Sequence, residues 1–286
     1  TKSNNWTGKY SFYGKNLHDL HNRTNRYLTT LQSLHNVINA DQDGHIATYA
    51  YGTTTAYEKS GHVDFQGCFK NVQQLTQWYV NYSQNPRVRD TFHGPTTLKY
   101  VLDEAQRVTK ETKRYHIVLI LTDGDPDDRY KKQDVGEVYD ATNDPLSIVV
   151  IGVGDGKYDK VNRVPTFPFY EGLDDNDGVK MGIGQQSFRD IKQQYGNLKF
   201  DNLQFVNLEK EILQGSEMTE DLQEKLYLKA FSEIPKQYDS IKKCLNYNPS
   251  YGGFTHPSIV TNTGFAVPPT SQYAVRSTQY TVHSTQ

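Results

Sequence analysis

Val118-Leu119-Ile120-Leu121-Thr122-Asp123-Gly124 is the stretch on which the fold turns. An aliphatic run gives way at once to a hydroxyl, a carboxylate and a glycine. An uninterrupted apolar run of strand length marks a strand covered on both faces, as parallel sheets require. A carboxylate at the carboxyl end of such a strand sits where open α/β sheets bind their ligands. Two other stretches offer hydroxyls for the same place: Thr1-Lys2-Ser3-Asn4 and Gly94-Pro95-Thr96-Thr97. Two hydroxyl loops and one Asp form a hard-oxygen donor set suited to Mg²⁺ or Mn²⁺.

Working outward, Ile46–Tyr51, Ile117–Leu121 and Ile148–Val153 read as buried strands, with a fourth at Leu203–Val206. Helical spacing appears between them. Leu28, Leu31, Leu34 and Ile38 mark one helix, and Phe69, Val72, Leu75 and Tyr79 a second. Leu98, Val101, Leu102, Ala105 and Val108 mark a third, after the Pro95-Thr96 start signal. Leu222, Leu226, Tyr227, Ala230 and Phe231 form a further stripe ended by Pro235, and Tyr238, Ile241 and Leu245 a short last one. Strands alternating with helices predict an α/β fold with a doubly wound, mostly parallel sheet and helices on both faces. Such a sheet needs a central strand leading into Thr1-Lys2-Ser3, so that strand is expected upstream of Thr1.

Two segments break the rhythm. Residues 162–190 hold Pro165, Pro168, several glycines and the acidic run Asp174-Asp175-Asn176-Asp177, and predict a long inserted surface loop. From Tyr247 to Gln286, Pro, Gly, Ser, Thr, Gln and Tyr dominate, and Arg276 is the one Lys, Arg, Asp or Glu. A short repeat, Val275-Arg276-Ser277-Thr278-Gln279 and Val282-His283-Ser284-Thr285-Gln286, closes it. This composition cannot bury a core. The expected division is a domain at 1–246 and an extended tail at 247–286. The tail is expected to be an assembly element held by a neighbouring chain through residues such as Tyr247, Tyr251, Phe254, Phe265 and Tyr273.

The 286 residues fit one large domain with extensions. A formal charge of −2 argues against a nucleic-acid binder. No run of about 18 apolar residues is present to span a membrane, and no signal peptide is legible. A cytoplasmic location follows as the expectation, with association to a large assembly or a membrane surface through domains beyond this sequence. The sequence opens on a motif rather than on Met, so a preceding segment is expected. Cys68 and Cys244 are the two cysteines, without a CxxC; free thiols fit better, and one disulfide stays open.

Rival motifs fall short. Gly152-Val153-Gly154-Asp155-Gly156 follows a strand, but the dinucleotide fingerprint needs glycine where Lys157 stands, so a strand-exit turn is expected. A calcium loop aligned on Gly178 would place Leu173 and Gly184 at its anchoring positions, and one aligned on Gly44 ends on Ala50. His18 and His21 lack further zinc ligands. No nucleophile elbow, phosphate-cradling glycine loop or HExxH is present, so the chain is expected to be no enzyme.

Several stretches together resemble the copine-type von Willebrand factor A domain, found in copines and in plant copine-like RING ubiquitin ligases. They are Thr1-Lys2-Ser3-Asn4-Asn5-Trp6-Thr7-Gly8, Gly94-Pro95-Thr96, the strand into Asp123-Gly124, Pro145 to Gly156, Phe200 to Asn207, and Glu233-Ile234-Pro235-Lys236-Gln237-Tyr238. The resemblance implies a metal-ion-dependent adhesion site in which Thr1, Ser3, Thr96 and Asp123 hold one Mg²⁺ or Mn²⁺. Its first Asp would stand two residues before Thr1, outside the sequence, and the affinity depends on it. No RING cysteines are present, so ligase activity does not carry over. The function expected is a non-catalytic, metal-dependent protein-binding module, with a partner's acidic side chain completing the ion's coordination. The alternative is a structural scaffold component of a larger assembly, its metal site degenerate or empty, docking through the 162–190 loop and the 247–286 tail.

Overall fold

The computed structural model describes residues 9–10, 16–20, 25–35, 46–52, 63–85, 96–175, 181–183 and 185–248. The elements run α1 (Arg26–Ser33), β1 (Ile46–Tyr51), β2 (Val63–Phe69), α2 (Val72–Gln84), α3 (Lys99–Thr112), β3 (His116–Thr122) and α4 (Lys131–Ala141). There follow β4 (Leu146–Gly152), α5 (Pro168–Asp174), α6 (Gln185–Tyr195), β5 (Leu203–Asn207), a π-helical turn (Leu208–Leu213), α7 (Glu220–Phe231) and α8 (Ile234–Leu245).

The fold is α/β, as expected. β3, β4 and β5 form a parallel sheet in that order, and β1 and β2 a separate antiparallel ribbon. β4 is buried at all seven positions because its side chains alternate between two cores. Ile148 and Val150 face a cluster with Leu102 of α3, Val138 of α4 and Phe169 of α5. Val149 and Ile151 face the other, with Leu34, Leu208 of the π-helical turn, and Leu226 and Ala230 of α7. Each such aliphatic side chain removed from water stabilises the fold by roughly 1.5–3 kcal/mol. β3 has the same continuous apolar sequence yet sits at the rim among the described residues, and Ile117 is 43% exposed.

Several expectations are corrected. Phe69 does not open the second helix: it ends β2, and Asn71 caps α2 by accepting from the Gln74 N–H at 2.9 Å. The residues from Val63 to Phe69 form a strand because they pair with β1, Tyr51 opposite Val63 and Ile46 opposite Phe69. A Gly67 φ of 137° and a bulge at Thr48/Tyr49 weaken its pattern in sequence.

The predicted surface loop at 162–190 holds, in its described part, two helices and a set of core residues. Asp125 reaches across to the start of α5, its Oδ2 accepting from the Phe169 N–H at 3.1 Å. Phe169, Tyr170, Leu173, Met181 and Ile183 are buried. An acidic composition masked the apolar face of a short helix. Tail residues 249–286 and the anchors within them lie outside the described residues. Tyr247 is described, and its hydroxyl accepts from the Tyr115 N–H at 2.7 Å. Cys68 and Cys244 are free thiols.

Candidate functional site

The parallel register sets Thr122 beside Gly152 and Gly152 beside Asn207, so three strands end in one row. The turns leaving that row carry Asp123, Asp155 and Glu209, all buried, at 4%, 1% and 6% exposure. This concentration of carboxylates at the carboxyl edge is the geometry expected of a ligand end in an open sheet.

The Asp123 turn is held by backbone. The Thr122 hydroxyl donates to the Gly124 carbonyl at 2.9 Å, and the Val153 N–H donates to the Thr122 carbonyl at 2.7 Å. Beneath it the Tyr51 hydroxyl donates to the Leu121 carbonyl at 3.3 Å. Burial pushes the Tyr27 and Tyr51 phenols well above their ordinary range, and the nearby Asp123 charge adds to both.

The second hydroxyl loop is tied to the first. The Asp127 N–H donates to the Thr96 carbonyl at 3.1 Å, which brings Thr96 onto the loop that begins at Asp123. The next residue, Thr97, is buried and donates to Asp134 Oδ1 at 2.5 Å; that oxygen also accepts from the Lys99 N–H at 3.1 Å. Asp134 on α4 thus caps α3 from outside it, and burial pushes its carboxyl up to about 6. Asp125 plays the matching part for α5, and burial raises it to about 6 as well. Its Oδ1 makes no hydrogen bond among the described residues.

Of the four predicted metal ligands, Thr96 and Asp123 are brought to one strand-end loop pair, while Thr1 and Ser3 lie outside the described residues. The donors present are oxygens. Among the described residues no three His, Cys, Asp or Glu side chains cluster as a metal site would require. Asp123 and the Thr96 loop beside it offer oxygen donors, the kind Mg²⁺ and Mn²⁺ take, and the Asp125 Oδ1 without a hydrogen bond marks unmet polar demand on the same loop. His18 is engaged elsewhere, stacked on Tyr27 with ring centroids 4.5 Å apart and its Nδ1 2.8 Å from the Tyr79 hydroxyl. His21 lies outside the described residues, as does most of the Asn39–Ala50 segment.

The rest of the edge is internally satisfied. Asp155 Oδ2 accepts from the Tyr10 N–H at 2.7 Å. Glu209 is paired with Arg26 of α1. The Gly152–Gly156 segment is the expected strand-exit turn. Gly156 has φ of 53°, and a Cβ placed there would lie 2.3 Å from the Thr166 carbonyl oxygen. Sequence reasoning missed the roles of Tyr51, Thr97, Asp125 and Asp134, which depend on which elements pack together. The Thr-Thr pair at 96–97 was the one visible signal, since adjacent hydroxyls can point to different places.

No helix among the described residues is long and apolar enough to cross a membrane. The copine family model matches residues 16–250. The chain is 28% identical over 271 residues to the E3 ubiquitin-protein ligase RGLG3 of Arabidopsis thaliana, covering 90% of this chain and 65% of the relative. It is 27% identical over 246 residues to Copine family protein 1 of Caenorhabditis elegans, covering 84% of this chain and 19% of that protein. Copine-B of Dictyostelium discoideum is 31% identical over 160 residues, 54% of this chain and 28% of the relative. The chain therefore spans about half to two thirds of the plant proteins it matches, 65%, 51% and 45% in three cases. The plant relatives carry the names of E3 ubiquitin-protein ligases, which corrects the expectation that the chain is no enzyme; that expectation rested on motifs within this stretch alone. With the match extending over most of its length and the fold in agreement, the chain belongs to the copine family.

Proposed function

We propose that the chain is a protein-interaction module of copine type whose strand-end loops hold one Mg²⁺ or Mn²⁺ through Thr1, Ser3, Thr96 and Asp123. A partner's Asp or Glu would complete the ion's coordination. The observation that carries this reading is the Asp127 N–H to Thr96 carbonyl bond, which joins the hydroxyl loop to the carboxylate loop. When bound, the ion supplies a positive, electrophilic centre at the surface. The chain's own residues position it. Asp123 contributes the charge, the hydroxyls contribute neutral donors that leave the ion electron-poor, and the capped starts of α3 and α5 fix the loops. Should the parent protein act as a ubiquitin ligase, as the names of its plant relatives state of them, this domain's contribution would be to present that binding surface.

The test is a Mn²⁺ titration followed by calorimetry and electron paramagnetic resonance, on the full chain. One site is expected, lost in Asp123→Ala and weakened in Thr96→Ala, with unchanged circular dichroism. Undiminished Mn²⁺ affinity in Asp123→Ala would overturn the assignment.

A further inference from the structure

The turn that leaves β4 runs into a loop at residues 156–166 whose stem is pinned. The Lys157 N–H donates to the Thr166 carbonyl at 2.8 Å, and the Asp159 N–H to the Val164 carbonyl at 3.0 Å. The Pro165 carbonyl accepts from the buried Asn207 side chain at 3.0 Å, which fastens the returning limb to the end of β5. Asp159 organises the tip. Its Oδ1 accepts from the Val161 and Asn162 N–H groups at 2.8 and 3.1 Å, and its Oδ2 from the Asn162 amide at 2.6 Å. Tyr158 stacks on Tyr10 with ring centroids 4.5 Å apart, and the Tyr10 N–H is the donor to Asp155. The loop is thus held at the same row of strand ends as Asp123.

It presents positive charge. Lys157, Lys160 and Arg163 recur at every third residue and are exposed. Lys9, also exposed, lies beside them: its Nζ is 5.6 Å from the centre of the Tyr10 ring, and the Lys160 Nζ is 5.9 Å from it. No carboxylate among the described residues pairs with any of these four. Lys99, Arg107, Lys131 and Lys210 differ in this, each having an acidic partner. Asp159 is the one acid in the loop, and both its oxygens are taken by the turn. Val161 stands at the tip, 89% exposed. Arg163 adopts φ 55°, a left-handed conformation better suited to Asn or Gly than to Arg. Such a conformation costs stability, and residues held in it cluster at binding and active sites.

The chemistry narrows the partner. Single-stranded nucleic acid stacks its bases on open aromatic faces, whereas Tyr10 and Tyr158 turn theirs to each other. Holding a bilayer surface takes more apolar area than one valine offers. Separated carboxylates on an acidic polypeptide match cations three residues apart, each as a charge-assisted hydrogen bond. We propose that the 156–166 loop docks an acidic polypeptide segment of the partner, its carboxylates meeting Lys157, Lys160 and Arg163 and an aliphatic side chain packing on Val161. This rests on the proposed function only for the partner's acidity; the contact itself needs no ion.

The experiment titrates the full chain into an end-capped, fluorescein-labelled octaglutamate peptide, read by anisotropy at low salt with a chelator present. The peptide should bind, and the binding should vanish near 1 M salt, where screening shortens to about 3 Å. Lys157→Gln with Lys160→Gln and Arg163→Asn should weaken it about tenfold, the scale of three exposed charge pairs lost together. Lys236→Gln with Lys242→Gln and Lys243→Gln makes the same change of charge on exposed residues of α8 and should leave binding as it was. Arg163→Asn alone should weaken binding while the thermal midpoint holds or rises, which a purely structural role for Arg163 would not produce. No binding up to about 1 mM peptide would overturn the proposal. Equal loss in the α8 variant would overturn it too, since net charge alone would then account for binding. Binding that appears only on adding Mn²⁺ would overturn the loop contact while leaving the metal reading intact. Sedimentation with phosphatidylserine vesicles, lost in the loop variant and without peptide binding, would overturn it and mark the loop as a lipid contact.

Discussion

Asp174→Asn should stabilise the protein, and only above acid pH. Asp174 ends α5 and its Oδ1 accepts from the Phe205 N–H at 3.3 Å, on the outer edge of β5. Burial, together with the like charges of Asp201, Glu233 and Asp175, pushes its carboxyl up to about 7, against the single favourable bond from Phe205. In the unfolded chain an Asp titrates near 3.9. Below about pH 4 both states are protonated and the group favours neither. Between about pH 4 and pH 7 the folded state keeps a proton that the unfolded state releases, so the group's contribution to stability falls as pH rises and is lost above about 7. The shift of roughly three pH units corresponds to about 4 kcal/mol at most, and partial exposure with solvent screening reduces this to about 2 kcal/mol. Asn keeps the acceptor for Phe205 and has no charge to hold. The variant should match the parent at pH 4 and exceed it at pH 8 by about 2 kcal/mol, or roughly 4–8 °C in Tm for a domain of this size. Circular-dichroism melts at four pH values from 4 to 8 measure this. Asp174→Ala separates charge from hydrogen bonding: it strands the Phe205 N–H, which costs about 1–3 kcal/mol. A pH-independent difference between Asn variant and parent, or a less stable Asn variant at pH 8, would refute the reasoning.

Other outcomes follow from the same structure. Arg26→Met should lower stability by about 3–5 kcal/mol in urea titrations, because it leaves Glu209 buried without its cation; Arg26→Met together with Glu209→Gln should recover much of the loss. Gly156→Ala should cost about 2 kcal/mol or more, read as a lower urea midpoint at constant slope, since a Cβ at φ 53° would lie 2.3 Å from a carbonyl oxygen. Cys244, exposed, should react with a disulfide reagent at pH 8 well before Cys68, whose thiol burial pushes up to about 11; equal rates would count against the placement of β2. Val150→Ala in the fully buried β4 should cost about 2 kcal/mol, whereas Ile117→Ala, at an exposed position of β3, should cost clearly less in the same urea titration.

Ile148 to Val153 was legible because packing buries it on both faces and its composition leaves no alternative. Val118 to Leu121 is as aliphatic and was legible for that reason, although β3 sits at the rim among the described residues. β2 was not legible. Val63-Asp64-Phe65-Gln66-Gly67-Cys68-Phe69 alternates, but Gly67 and the bulge opposite it blur the period, and Phe69 falls in helical register with Val72. α4 was missed because Asp134 and Gly136 interrupt its apolar stripe. Asp134 is buried where it accepts from Thr97 and Lys99, and a Cβ on Gly136 would lie 2.7 Å from the Tyr195 hydroxyl, the tip of a side chain that would have to move. Both reasons belong to partners far along the chain. α5 was hidden for a similar reason, since its N-terminal cap comes from Asp125, more than forty residues earlier.

The buried carboxylates of this domain divide by what they do, and the division isolates the candidate site. Asp125 and Asp134 each take the N–H groups at the start of a helix supplied by another part of the chain. Asp201, Asp174 and Glu211 accept in turn from the Leu203, Phe205 and Asn207 N–H groups, at 3.4, 3.3 and 3.0 Å, so the outer edge of β5 is closed to pairing with a further strand. Glu209 answers Arg26, and Asp155 answers Tyr10. These groups hold elements in place. The Asp123 loop is itself positioned by such contacts, through the Thr122 hydroxyl on Gly124 and the Asp127 N–H on Thr96. The supporting carboxylates place the loop, and under the proposed reading Asp123 and Thr96 set what it can hold. Asp123 is itself buried, so Asp123→Ala tests binding only where circular dichroism and the thermal midpoint match those of the parent.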